Sequence, residues 1–413
     1  MSNAPIPLDD AFGPDPYPMY RRLRESGAVH RVAGPDGRPA WLVTGYQDAR
    51  SALADPRLSL DRRNAAPGGY TGLSLPPALD ANLLNMDGAD HARLRRLVAP
   101  AFAAARMEAL RQRVRDTADR LLDALDPLEG PVDLLEDYAA PLALTLLCDI
   151  LGVDPAQSER FRGWTTTVLD PSPAARARLG EALTGIVTSL TGQILARRAA
   201  PGADLLSELV AAHDGEDRLS SDELLSLAFL LLFAGFENTI STIAVALATA
   251  LDDPATARRL REHPDTTGAF VEEVLRFDGP VELAIRRFPT EDVEIGGVRI
   301  PAGETVLLAL GSAHRDPRAF TRPDDLAPDR DGPGHLGFGH GPHYCLGAAL
   351  ARLETVTAVS AVLERFPQAA LAEPREQLRP RPSVRTRGLS RLPVRLRPGS
   401  PDRPCASAEE AAQ

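Results

Sequence analysis

A chain of 413 residues that is 44% hydrophobic can bury a large core, and its formal net charge of −11 argues against nucleic acid as a partner. Every one of its 46 basic residues is Arg, and its three cysteines, Cys148, Cys345 and Cys405, supply no disulfide framework, which fits a reducing cytoplasm. Residues 1–10 lack the basic and apolar regions of a secretory signal, and the most apolar run, residues 224–236, is too short to span a bilayer. Neither export nor a membrane partner is expected. No linker, repeat or charge block interrupts residues 9–397, which predicts a single domain over 1–397, and the Pro-, Ser-, Ala- and Glu-rich stretch 398–413 reads as a disordered tail carrying Cys405.

From the N-terminus, Asp15-Pro16-Tyr17-Pro18 opens a short helix over residues 19–26, and residues 29–32 and 40–43 alternate as a small hairpin around residues 34–37. Residues 60–85 are rich in Gly, Pro, Asn and Ala and have no period. The run Asp87-Gly88-Ala89-Asp90-His91-Ala92-Arg93-Leu94-Arg95-Arg96 follows; taken alone, its His91 and Arg95 are an i,i+4 pair on a basic helix. Leu110, Val114, Ala118, Leu121 and Leu125 share one helical face, and residues 133–152 form a more apolar helix in which Cys148 is core. Two helices are expected over 155–200, broken at Asp170-Pro171-Ser172-Pro173.

Ser220 and Glu223 have the spacing of a capping box ahead of a long apolar helix, residues 224–251. A helix apolar on all sides belongs in the middle of a molecule, so Glu237 and Asn238 within it are expensive unless paired or functional. Glu273 and Arg276 fall on one helix face, and residues 291–297 read as strand and turn. Near the C-terminal end, Gly337-Phe338-Gly339-His340-Gly341-Pro342-His343-Tyr344-Cys345-Leu346-Gly347 runs into a helix over 348–364. Its glycines and proline force a tight loop that lets backbone approach a flat ligand, and Cys345 sits at a helix start, where macrodipole and free N–H groups favour thiolate. Such a thiolate is a metal ligand or a nucleophile. Residues 382–389 read as a hairpin tip.

Phe338, Gly341, His343, Cys345 and Gly347 together resemble the ligand loop of the haem-thiolate monooxygenases, the cytochromes P-450. That resemblance implies a mainly α fold with a minor β region, a long central helix lying over one haem b, and Cys345 as the iron ligand whose electron donation favours O–O cleavage. It also implies that His91, Arg95, Arg287 and His335 hold the haem propionates, with Phe338, His343 and Gly347 completing the cofactor loop, because a buried carboxylate needs charge-assisted partners. Ala234-Gly235-Phe236-Glu237-Asn238-Thr239 resembles the family's oxygen-binding groove, where an acid followed by Thr relays protons. Here Asn238 occupies the Thr position and Thr239 points about 100° further round the helix. Glu273, Arg276 and Arg330 match a buried structural triad.

The implied partners are O2, a small-molecule substrate, and a ferredoxin with its NAD(P)H-dependent reductase, the ferredoxin docking near Arg93, Arg96 and Arg352. The expected function is hydroxylation of a small natural product in secondary metabolism. Asn85, Ala234, Glu282 and Arg385 are the expected substrate contacts, and the three polar ones among them suggest a polar, nitrogen-containing ligand. Oxidative ring closure is an alternative outcome, and a peroxide-driven enzyme or a haem sensor without turnover are alternative classes.

Overall fold

The computed structural model describes residues 5–8, 15–73, 75–154, 157–170, 172–214, 219–381 and 386–397. The expected tail 398–413, Cys405 and Arg385 lie outside the described residues. The fold is mainly α with a minor β region, as the chain pattern implies. Five helices position the site, and we label them α1 (Gly88–Val98), α2 (Ser221–Gly235), α3 (Glu237–Asp252), α4 (Thr267–Asp278) and α5 (Ala348–Arg365).

Helices α2 and α3 run through the centre. Leu224, Leu227, Phe229 and Leu231 in α2, and Ile240, Ile243, Ala244 and Leu247 in α3, are all buried, which is what an all-round apolar sequence demands. Ser220 caps this pair as its spacing requires: its Oγ accepts the Glu223 N–H at 3.1 Å, and the Glu223 carboxylate accepts the Ser220 N–H at 2.8 Å. The expected single helix over 224–251 is instead broken at Phe236, which adopts φ −118°. Gly235 just before it has no room for a side chain, since a Cβ would lie 2.9 Å from Leu147 Cδ2. Together the two helices span 32 residues, long and apolar enough to cross a membrane, which the reading of residues 224–236 alone missed. Burial of 72% of the apolar window inside the protein assigns the stretch to the core instead.

A four-stranded sheet flanks the helices, ordered Ile6–Pro7, Val29–Ala33, Pro39–Val43, Val306–Leu308. Its central pair is the expected hairpin, antiparallel with Arg31 opposite Trp41. The strand and turn expected at 291–297 is Val293–Ile295 paired to Val298–Ile300, reversing at Gly296 and Gly297, both at positive φ. The helices expected over 155–200 are Ser158–Leu169 and Pro173–Ala199, and Cys148 is core, its thiol pushed up to about 11 by burial.

Helix α4 carries the buried ionic centre of the fold. Arg276 binds the Glu273 carboxylate in two bonds of 2.8 and 2.7 Å and gives its other donors to the carbonyls of His314, Pro323 and Asp325 at 2.8–2.9 Å. Glu273 in turn accepts the Ala327 N–H at 2.8 Å and Arg330 Nε at 3.2 Å. Both side chains of the central pair are almost wholly out of water, at 6% and 3% exposed. Replacing Glu273 by Ala leaves two guanidiniums without their counter-charge, so urea unfolding should show a loss of about 3–5 kcal/mol. A loss under about 1 kcal/mol would mark the pair as energetically no more than a surface one.

Candidate active site

The loop ahead of α5 folds back on itself. Gly339 and Gly341 take φ of +76° and +75°, and a Cβ on Gly341 would lie 3.0 Å from Ala54 Cα, so these two positions need glycine. The Gly339 N–H donates to Leu336 O at 2.8 Å, and the Cys345 N–H donates to Phe338 O at 2.8 Å. Gly347 then stands at the N-cap of α5. Cys345 presents open surface, and so does Ala234 at the end of α2, in a helix whose other residues are mostly buried. The walls around the Cys345 sulfur nevertheless push the thiol up, against the pull of the Gly347 N–H, Arg95 and Arg352. The helix start alone therefore does not yield the thiolate expected from sequence; a bound metal ion deprotonates such a thiol outright.

A second group of residues meets beside this loop. His91 and Arg287 are each 4% exposed, and His91 Nε2 and Arg287 Nε have no hydrogen-bond partner. Arg287 Nη1 reaches Leu58 O at 3.3 Å. The His91 and His343 rings lie 4.0 Å apart, Arg95 donates to Tyr344 O at 2.7 Å, and His343 Nε2 is 3.1 Å from Asp87 Oδ1. Asp87 stands at the N-cap of α1, yet its carboxylate does not cap the helix; it accepts Ser59 Oγ at 2.6 Å and the Leu60 N–H at 2.7 Å. Burial would raise Asp87, but the bonds from His343, Ser59 and Leu60 outweigh it and hold the acid well below the usual carboxylate range. Burial pushes His91 down to about 4, with His343 and Arg95 adding to the shift, and pushes Arg287 down to about 10.

Leaving a buried donor unbonded costs about 1–3 kcal/mol, and more where it is charged. Two such donors next to an open cysteine fit a flat cofactor with carboxylate arms. Three of the residues expected to hold such arms, His91, Arg95 and Arg287, thus lie together with His343 and Asp87.

His335, the fourth partner expected for them, is engaged elsewhere. Its Nδ1 accepts the Gly337 N–H at 3.0 Å and its Nε2 lies 3.1 Å from Glu272. Glu272 also holds Arg352 at 2.6 and 2.9 Å, and Arg352 lies over the Phe338 ring at 4.5 Å. Of the three arginines expected to dock a ferredoxin, Arg352 is thus tied to Glu272, Arg93 is ion-paired with Glu223, and Arg96 is exposed.

In the groove, Glu237 is the first residue of α3 and is ion-paired with Arg381. Asn238 is half-buried with its carbonyl accepting Thr242 Oγ1 at 2.7 Å, while Thr239 is buried, consistent with its place round the helix.

The polar substrate contacts fare differently. Asn85 spends both ends of its amide on protein, donating to Asp80 Oδ1 and accepting Arg286 Nη2, each at 2.9 Å. Glu282 is buried against Gly311, where a Cβ would lie 2.4 Å from its Oε1, and its carboxylate is 3.9 Å from Arg387 Nε. Burial pushes Glu282 up, with Arg387 and Tyr20 pulling the other way, so it belongs to a buried cluster near the helix Tyr17–Ser26. Asn85 and Glu282, two of the three polar groups on which the expectation of a nitrogen-containing ligand stood, are thus engaged by protein, and Arg385 lies outside the described residues.

Two residues of the site escaped sequence reading. Asp87 was detectable in principle, as an acid followed by a glycine at a helix start; Gly88 has φ +61°. Arg381 carried no local signal, since its partner is 144 residues away. Among the described residues no three His, Cys, Asp or Glu side chains come together as a metal cage.

A family model described as Cytochrome P450 matches residues 191–393. Cytochrome P450 monooxygenase PikC of Streptomyces venezuelae is 44% identical over 396 residues, covering 95% of this chain and 94% of that protein. Among solved structures, the tirandamycin C-bound P450 monooxygenase TamI aligns with a TM-score of 0.87 at 41% identity, over 95% of this chain and 100% of that one. CxnD, described as a cytochrome P450 enzyme for C–S bond formation in chuangxinmycin biosynthesis, aligns with a TM-score of 0.87 at 33% identity, over 96% and 98%.

The low proton affinity of His91 sets a pH dependence. The unfolded chain takes up this proton near pH 6.5 and the folded one only near 4, so the stability tied to neutral His91 is complete above 6.5 and is lost as pH falls toward 4. Urea midpoints of the haem-free protein should drop across that window, and His91→Gln should flatten the drop. An unchanged acid limb in the variant would show that His91 does not titrate as its burial requires.

Proposed function

The chain belongs to the cytochrome P450 family, haem-iron monooxygenases with relatives that act in natural-product biosynthesis, and on that premise we propose that it is a cytoplasmic, haem b-dependent hydroxylase of a secondary metabolite, driven by ferredoxin and its NAD(P)H-dependent reductase. The balance is substrate C–H + O2 + NADPH + H+ giving C–OH + H2O + NADP+. When bound, the haem supplies the iron at which dioxygen is reduced and its O–O bond broken. The observation that carries the reading is the open Cys345 beside two buried donors, His91 and Arg287, that have no hydrogen-bond partner for one of their nitrogens.

The residues of the chain then divide the work. Cys345 would hold the iron, on a loop whose backbone is fixed by the Cys345 and Gly339 N–H bonds. His91, Arg95, Arg287 and His343 would hold the carboxylate arms of the haem. Ala234 keeps the groove wall low, so that a substrate carbon can approach. Glu237 draws protons from solvent, and Asn238 orders the water that receives them, because an amide holds water well but relays poorly.

Ring closure is the second reading, and Asn238 is what favours it: without a hydroxyl at position 238, an O–H or N–H of the substrate stands in the relay and becomes the group oxidised. A relative described as forming C–S bonds is consistent with coupling chemistry on this fold.

Cys345→Ser should abolish the red-shifted Soret band of the reduced carbonyl complex; its survival would rule Cys345 out as the ligand. Asn238→Thr should change the yield of product per NADPH consumed. The product's mass distinguishes the two readings, with a gain of one oxygen for hydroxylation and a loss of two hydrogens for closure. Unchanged coupling, together with normal turnover of an analogue lacking the O–H or N–H, would overturn ring closure.

A further inference from the structure

A polar network joins the two limbs of chain that lead to α1. Residues 58–73 run outward from the cluster of His91, Arg287 and Asp87, where Arg287 holds Leu58 O, and residues 79–87 return to it at Asp87. The return limb packs on α2, with Leu79 buried and Asn82 Nδ2 donating to Ser226 Oγ at 3.4 Å. The limbs thus reach from the Cys345 side of the site to the helix whose end forms the groove, and Leu73, Leu84 and Met86 on them are only half-buried. Three staples cross between the limbs. Asp87 takes Ser59 Oγ and the Leu60 N–H; Arg62 donates to Leu73 O at 3.0 Å and Asp80 Oδ1 at 2.7 Å; Arg286 donates from Nε to Thr71 O and from Nη2 to Asn85 Oδ1, each at 2.9 Å. Asn85 Nδ2 in turn donates to Asp80 Oδ1 at 2.9 Å, which links the second staple to the third. Of the three, only Arg286 comes from outside both limbs. It belongs to the stretch after α4, beside Arg287, whose backbone is bridged to Val306, and it is 7% exposed. Gly72 crosses it at φ +78°, where a Cβ would lie 3.2 Å from Arg286 Nε.

From this geometry we infer that Arg286 is a positioning residue that sets specificity: its guanidinium fixes the spacing of the two limbs, and with it the size of ligand that the site accepts. The inference rests on the reading of the chain as a haem enzyme. A guanidinium suits the task because its rigid fork serves two acceptors at once, here a main-chain carbonyl on one limb and a side-chain amide on the other. An ammonium would keep the charge and reach only one of them. With the fork removed, Asp87 and Arg62 still join the limbs on either side of it, so the segment stays folded and parts more readily between them. A ligand small enough to leave the limbs in place gains nothing from that change, whereas one that must part them no longer works against the Arg286 bonds.

The test uses the ferric haem-loaded enzyme and three ligands that bind iron through nitrogen, in order of size imidazole, phenylimidazole and clotrimazole, each titrated by its shift of the Soret band. None of them requires the natural substrate or a redox partner. Arg286→Met should tighten clotrimazole relative to imidazole by about three- to tenfold, the effect of about one net hydrogen bond between the limbs, while imidazole binding stays at its parental value. Phenylimidazole should fall between the two. Arg286→Lys should move the ratio in the same sense, because charge without the fork spans one limb only. Asn85→Ala removes one arm of the fork without touching the strand, so it should reproduce the shift even where Arg286→Met does not fold, and the double variant should add little to either single one. A clotrimazole-to-imidazole ratio unmoved in Asn85→Ala and Arg286→Met, equal tightening of all three ligands, or a parental ratio in Arg286→Lys would overturn the inference alone. Failure of imidazole to shift the Soret band of the parental protein would overturn the haem reading and this inference with it.

Discussion

Two buried guanidiniums around one carboxylate hold the molecule's irregular half in place. Glu273, Arg276 and Arg330 bind one another and, through the carbonyls of His314, Pro323 and Asp325 and the Ala327 N–H, fix a stretch of chain that has almost no regular structure of its own. Arg322, the one non-glycine among the described residues with positive φ, lies inside that stretch. The constraint passes onward in steps. Burial keeps the His314 ring neutral, so its Nε2 accepts the Leu336 N–H at 2.8 Å; Leu336 O holds Gly339, and Phe338 O holds Cys345. A sulfur positioned by a glycine-rich loop would otherwise wander, because glycine gives up more conformational freedom on folding than any other residue.

The polar groups around the site are distributed by a similar logic. Buried ions are tolerated where they are paired, as in α4, and the exceptions mark places where the protein alone does not finish the bonding. His91 and Arg287 are such exceptions, while Asp87 takes up His343 and leaves those two nitrogens without a protein partner. On the other side of the loop, Glu272 gathers His335 and Arg352 under Phe338 and is drawn down to about 2, its burial more than offset by those two partners. The loop is thus gripped by charge on both flanks, with Tyr344 joined to Arg95 through its carbonyl and to Arg352 through its hydroxyl.

What could be read in the chain depended on whether its cause was local. The loop 337–347, the Ser220 cap and the Glu273 to Arg276 spacing are short-range patterns with one physical solution, and they fold as expected. Arg330 enters the triad through the family resemblance rather than through any local signal, and its Nε does donate to Glu273 at 3.2 Å. His335 and His343 lie in one loop of similar composition, and only the turns at Gly339 and Gly341 decide which ring faces which cluster. Glu282 appeared to be a charge in a pocket because its tertiary neighbours, Tyr20 and Gly311, lie 262 and 29 residues away in the chain. Gly235, just before the break at Phe236, is packed against Leu147, a tertiary contact invisible to periodicity.

The absence of lysine gives the scaffold an asymmetric relation to its medium. Apart from contacts involving histidine, every ion pair described here has arginine as its cation, and a guanidinium keeps its charge far into alkali. The carboxylates are already ionised there, so base has little to remove from the network that braces the fold. Burial weakens that hold at Arg24, Arg95 and Arg287, bringing the last down to about 10. Alkali therefore meets weakened guanidiniums beside the Cys345 loop, at Arg287 and Arg95, while the arginines paired with carboxylates behind it keep their charge.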